Sequence, residues 1–160
     1  MVVHLRVDER LAHGQVCAVF VKYLNATHLL IANDAVANDA DQKRIMSIGI
    51  PNTVKYLFTT VDKAIDIIND PKAAPLRIFP VVKSPADAIK IINNVGEIQD
   101  FSFGNFGMIV PIDKATSKNA CPGVVLDAEN IALVKEIKEK IKKEVYYLHI
   151  PTAKPVKLNL

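Results

Sequence analysis

The sequence predicts an α/β fold: a single open, mostly parallel β-sheet with helices on both faces, built as one domain over residues 1–160. Three observations carry that prediction. Short apolar runs alternate with amphipathic stretches from one end to the other, the pattern left by strands and the helices that cover them. The length of 160 residues lies in the range of one domain. Apolar side chains make up 50% of the chain, enough at this size to fill a core without disulfides or a structural metal.

Val2–Val7 is the first apolar run and reads as a strand. Val16, Val19, Phe20, Tyr23 and Leu24 follow at helical spacing and mark one helix face. His28–Ala32 reads as strand, Asn33, Asp34, Asn38 and Asp39 as a polar loop, and Asp41–Ile48 as a short helix stopped by Gly49 and Pro51. Thr53–Phe58 is the next strand, and Val61, Ala64, Ile65 and Ile68 lie on a helix that stops before Pro71. Leu76–Val82 is a fourth strand. Its Pro80 has no amide to give a ladder, which predicts a sheet edge or a strand end.

Ser84, Pro85 and Asp87 occupy the N-cap, N1 and N3 positions of a helix carrying Ile89 and Ile92. Phe101–Phe103 reads as strand and Gly104–Gly107 as a loop, while the stretch from Met108 to Cys121 has no clear period and is expected to be irregular or a short hairpin. Gly123–Leu126 is strand-like. Asp127 caps a helix bearing Ile131, Val134, Ile137 and Ile141, and Val145–Ile150 is expected to close the sheet before Pro151 and Pro155 break the tail. The mixed Lys and Glu of Lys135–Lys143 read as a solvated helix face.

Composition excludes several classes of function. The net charge is only +3, from 20 basic and 17 acidic residues interspersed along the chain, so the footprint of a nucleic-acid binder is missing. No apolar run approaches the ~18 residues that span a bilayer. Cys17 and Cys121 form no CxxC pair, and no leading segment reads as an export signal, which points to the cytoplasm. His4, His28 and His149 lie in or beside apolar strands and read as structural, so no metal site is expected. No G-x-S-x-G elbow is present.

In open α/β sheets ligands gather beyond the C-terminal ends of the strands. The first strand-to-helix turn runs Arg6-Val-Asp-Glu-Arg-Leu-Ala-His-Gly-Gln-Val16. Gly14 is expected to allow close backbone approach, and Gln15 and Val16 to open a helix whose free amides attract an anion. Arg10 is expected to clamp phosphate oxygens bidentately. His13, beside this positive turn, is expected to be a neutral ring awaiting an anion. Two roles are open to Asp8: orienting the His13 ring, or pairing with Arg6 or Arg10. Arg6, Asp8, Asp34 and Lys83 are further candidates to contact the phosphate, although pairing with Asp8 alone accounts for Arg6 and turn chemistry alone accounts for Asp34. Gly104–Gly107 is a weak phosphate-loop signal.

The run RVDERLAHGQV, with FVKYLNA, LLIANDAVANDADQK and FSFGNFG further on, resembles the IIB component of the mannose/fructose/sorbose family of bacterial sugar phosphotransferase systems. The likeness covers nearly the whole chain. It departs from the family at Ala12, where Ile is common, at Phe20, where Trp is common, and at Ser102, where Asn is usual. The resemblance implies that His13 is the phosphorylated residue and that Arg10 contacts the phosphate. It implies a phosphohistidine IIA donor and a sugar acceptor held by the membrane components IIC and IID. That sugar is of the mannose, fructose, sorbose or N-acetylated amino sugar class. The expected location is the inner face of the membrane, reached through IIC and IID. It implies no cofactor, and a homodimer stays open.

Two rival readings remain at this point. One is a receiver-type or flavodoxin-like signalling domain phosphorylated on Asp8 or Asp34. The other is a nucleotide- or flavin-binding module, against which no full G-x-G-x-x-G follows the first strand.

Overall fold

The computed structural model describes residues 1–160. Strands β1 (Leu5–Val7), β2 (His28–Ala32), β3 (Lys55–Thr59), β4 (Ile78–Val82), β5 (Phe101–Phe103), β8 (Tyr146–Tyr147) and β9 (Val156–Lys157) form one seven-stranded sheet in the order β3-β2-β4-β1-β5-β8-β9. Every pairing through β8 is parallel, and only β9 runs antiparallel. β6 (Lys118–Cys121) and β7 (Val124–Leu126) make a separate antiparallel hairpin.

The first helix, α1, begins as a π-wound segment over Gln15–Phe20 and continues as α-helix over Val21–Tyr23. The others are α2 (Asp34–Ala37), α3 (Ala40–Ser47), α4 (Val61–Asn69), α5 (Pro85–Asn94) and α6 (Ala128–Ile141). Polar side chains start them. Asn33, Asp39, Thr60, Ser84 and Asp127 each accept a hydrogen bond from the amide three residues on, satisfying donors that no helical carbonyl reaches.

Alternation along the strands divides the core into two layers. Leu30 and Ala32 of β2 join Leu5, Val7, Phe101 and Phe103 in a cluster covered by α4, α5 and α6. Leu29 and Ile31 face the other way, into a cluster with Phe79, Val81 and the α1 residues Val16, Cys17 and Phe20. Helices therefore cover both faces, as expected from strands that are apolar on both sides.

Three local expectations are corrected. Pro80 lies on neither an edge nor a strand end, because β4 is paired on both sides, to β2 and to β1. The neighbouring chain makes room for it. Val2 bridges Ile78 whereas Arg6 pairs Val81, so the first segment advances one residue more than β4 over the same stretch. That extra residue is a bulge. Val3 N donates to Ile78 O, but Leu5 N turns to Asp100 O, which interrupts the ladder where proline has no amide. The expected polar loop at Asp34–Ala37 is a one-turn helix, because Asn33 caps it. The expected strand Val145–Ile150 shrinks to Tyr146–Tyr147, and the tail folds back as β9 against it.

β1 is flanked by β4 and β5. The chain leaves β1 toward β2 on one side and leaves β5 toward β8 on the other, so the strand order reverses between them. A ligand site in such a sheet lies at that reversal, and the loop after β1 opens there.

Candidate functional site

Asp8 follows the last residue of β1, its side chain wholly buried. Its carboxylate is the hub of the turn. Oδ1 accepts from the Arg10 amide at 3.2 Å and from Arg10 Nε at 2.9 Å. Oδ2 accepts from Arg10 Nη2 at 2.9 Å, Arg6 Nη2 at 3.1 Å and His13 Nε2 at 3.0 Å. Burial by itself raises a carboxyl, but the hydrogen bonds from His13 and Arg10 and the charge of Arg6 hold Asp8 well below the usual carboxylate range. It is therefore an anion at neutral pH and an acceptor only. Both roles left open for Asp8 coexist: it holds the His13 ring and pairs with both arginines.

Burial of this charge is tolerated because a matched cation lies beneath it. Arg6 has no exposed side-chain surface, and Nη1 donates to Leu148 O at 2.8 Å and approaches Ser102 Oγ at 3.3 Å. Its guanidinium also stacks over the Phe20 ring, 4.3 Å from the centroid, tying α1 to the sheet. Arg6 thus has no route to an incoming phosphate, a correction to its placement among the phosphate contacts. Asp8 is likewise no phosphate ligand but the anchor of the groups around it.

Arg10 is corrected in part. The guanidinium edge expected to grip phosphate closes on Asp8 instead, through Nε and Nη2, which leaves Nη1 with no hydrogen bond to the protein. Its side chain is 27% exposed and that of His13 is 19% exposed, so both reach the surface from a fixed base. Leu11 between them is buried at a left-handed φ of 56°, a conformation costly for a branched residue and held by packing. Gly14 is exposed, and space is open around the place a Cβ would occupy, so no neighbouring chain presses on it. The amides of Gly14, Gln15 and Val16 precede the first helical bond, from Cys17 N to His13 O.

Of the outlying candidates, Asp34 is not drawn to this cluster; its Oδ1 accepts from Val61 N at 2.9 Å and caps the start of α4. Lys83 stands half-buried just beyond β4. Four other residues take roles here that the sequence reading does not assign to them. Gly104, at the end of β5, lies so close that a Cβ there would fall 2.0 Å from Asp8 Oδ2. Glu9 is buried and accepts from the amides of Met108, Ile109 and Val110, fixing the following loop beside the turn. His149, read as structural, is exposed with Nε2 3.0 Å from Gln15 Nε2, and Tyr147 lies behind it. No local pattern marks these residues; only the adjacency of β1, β5 and β8 brings them together.

The chain is 33% identical over 159 residues to a probable phosphotransferase enzyme IIB component of Streptococcus pyogenes serotype M6, covering 99% of this chain and 98% of the relative. It is 31% identical over 154 residues to the N-acetylgalactosamine-specific phosphotransferase enzyme IIB component 2 of Escherichia coli, covering 96% and 93%. The crystal structure of the N-acetylgalactosamine-specific IIB component 1 of Escherichia coli superposes with a TM-score of 0.86 at 25% identity, covering 99% of this chain and 100% of that one. Fold and sequence define a phosphocarrier component of a sugar phosphotransferase system. The chain belongs to the family of PTS system sorbose subfamily IIB components, whose model it matches over residues 2–159.

Proposed function

We propose that His13 accepts a phosphoryl group from a phosphohistidine of a IIA partner and passes it to a sugar held by the membrane components IIC and IID. The observation that carries this reading is the bond from His13 Nε2 to the buried Asp8 carboxylate, 3.0 Å long. An ionised acceptor fixes the ring with its proton on Nε2, which leaves the lone pair on Nδ1.

In the first transfer Nδ1 attacks phosphorus in line. The N–P bond of the donor breaks as the new one forms, and its electron pair returns to the donor imidazole. Such a transfer state is loose and strongly anionic, so positioned donors supply most of the catalysis. Arg10 Nη1 and the amides of Gly14, Gln15 and Val16 are those donors. Asp8 meanwhile balances the cationic ring of the product. In the second transfer a sugar hydroxyl attacks phosphorus and gives its proton to water, the O–P bond forms as the Nδ1–P bond breaks, and that electron pair returns to His13.

The acceptor is a sugar of the mannose, fructose, sorbose or N-acetylated amino sugar class, and the chain works as one domain at the membrane surface through IIC and IID. No helix is long and apolar enough to cross a membrane.

The test is a mass measurement after mixing the protein with phosphoenolpyruvate, the general phosphotransferase proteins and a family IIA. Wild type gains one phosphate that survives base and is lost in acid, and His13→Ala gains none while folding normally. A labelled His13→Ala protein, or a phosphate cleaved by hydroxylamine and base, sinks the proposal and favours an aspartyl phosphate.

A further inference from the structure

His149 is separated from Gln15 by 134 positions in the chain, yet its Nε2 lies 3.0 Å from Gln15 Nε2. The other end of the same carboxamide, Gln15 Oε1, faces Arg10 Nη2 at 3.5 Å. These two contacts orient the amide group: oxygen toward the arginine, nitrogen toward the imidazole. An amide nitrogen only donates, so His149 Nε2 is the acceptor and its proton sits on Nδ1. Nδ1 in turn faces Tyr147 Oη at 3.3 Å. The row Arg10, Gln15, His149, Tyr147 thus joins the turn after β1 to the segment after β8, along the rim of the site.

We infer that His149 is a positioning residue for phosphoryl transfer at His13, acting through Gln15. By accepting one hydrogen of the Gln15 amide it fixes the plane of that group. The second hydrogen is then held ready as a donor for the phosphoryl oxygens. Without this acceptor the Gln15 side chain, anchored only by its weak approach to Arg10, samples several rotamers. The donor then has to be ordered during the reaction rather than before it. Preorganised donors are the ones that lower a barrier of this kind. This inference rests on the phosphocarrier reading of His13.

His149→Phe keeps a flat ring and removes the acceptor, whereas His149→Gln places an amide oxygen where Nε2 stood. With a phosphorylated family IIA as donor, His149→Phe should lower kcat for phosphorylation of His13 about 3- to 10-fold, the worth of one neutral hydrogen bond. KM for the donor should not change, and His149→Gln should recover most of the loss. In the Gln15→Ala background His149→Phe should have no further effect, because the two act as one unit. Nitrogen NMR of the unphosphorylated protein should show His149 with its proton on Nδ1 and a shift at Nε2 when Gln15 becomes Ala. A wild-type rate in His149→Phe, or losses from His149→Phe and Gln15→Ala that multiply independently, overturns the inference while the phosphocarrier reading stands. A wild-type protein that takes no phosphate overturns both.

Discussion

Gly104→Ala is the smallest change that reaches the centre of the site without touching any residue that bonds there. The backbone of Gly104 is fixed by its amide, which donates to Val7 O at 2.7 Å. A Cβ built on it falls 2.0 Å from Asp8 Oδ2 and 2.4 Å from Arg6 Nη2, where ordinary contact begins at 3.4 Å. The carboxylate must therefore retreat by about 1.4 Å, the shortfall from ordinary contact. A shift of that size takes its bonds to Arg6 and His13, 3.1 and 3.0 Å long, out of hydrogen-bond range. Breaking a buried ion pair costs roughly 3–5 kcal/mol. The Arg10 contacts move with Asp8 and persist, so the lower end applies, about 3 kcal/mol. For a chain of this size that lowers Tm by roughly 6–12 °C. Loss of the group that orients a reactive imidazole costs about 10- to 100-fold in activity, so phosphorylation of His13 should slow by that factor in the protein that remains folded. Gly96→Ala is the control, since nothing lies within 4 Å of its added Cβ; it should melt within about 1 kcal/mol of wild type. Thermal melts and rapid-quench transfer from a phosphorylated IIA read both effects. If Gly104→Ala melts and transfers as wild type does, Asp8 is not the rigid hub described above.

Arg10→Ala should slow phosphorylation by on the order of 10²-fold, the cost of one positioned donor to a developing anion. It should also lower Tm by several degrees, because it removes both side-chain bonds to Asp8; Arg10→Lys should recover only part of each, and wild-type melting of Arg10→Ala would contradict the pairing. Stability should also fall as pH drops below about 6.5. Burial lowers the pKa of His4, and partial burial with the nearby charge of Lys55 lowers half-buried His28 in the same direction, so the unfolded chain binds protons that the folded protein refuses. The contribution of His4 is complete above its unfolded pKa and is lost as pH falls toward its folded one. Urea unfolding at pH 7.5 and 5.5 should therefore give a lower midpoint at 5.5, with a smaller difference in His4→Gln; equal midpoints in wild type refute the assignment. A second acid loss follows near pH 4 to 2, where Asp100, raised by burial but brought down to about 2 by the bonds from His4 and Tyr146, takes up its proton.

Periodicity and capping belong to contiguous residues, and these were legible without a structure. The apolar run His28–Ala32, the Ser84-Pro85-Asp87 helix start and the Asp127 cap each involve atoms a few positions apart. The turn from Arg6 to Gln15 was legible for the same reason, because a strand end, two arginines and a histidine within one turn converge whatever the rest of the chain does. Which strands become neighbours is a different matter. Parallel strands buried on both faces look alike as sequence, so nothing local says that β4 inserts between β2 and β1, or that Pro80 sits in the middle of the sheet opposite a bulge. The direction of the Arg10 fork, toward Asp8 rather than outward, depended on Arg6 being buried below with its Nη1 on Leu148 O, 142 positions away. Gly104 against Asp8 and His149 against Gln15 exist only because β5 and β8 lie in sequence order beside β1. Chemistry carried within one loop is written in the order of its residues, whereas chemistry shared between loops is written in the order of the strands, and that order follows from how the whole core packs.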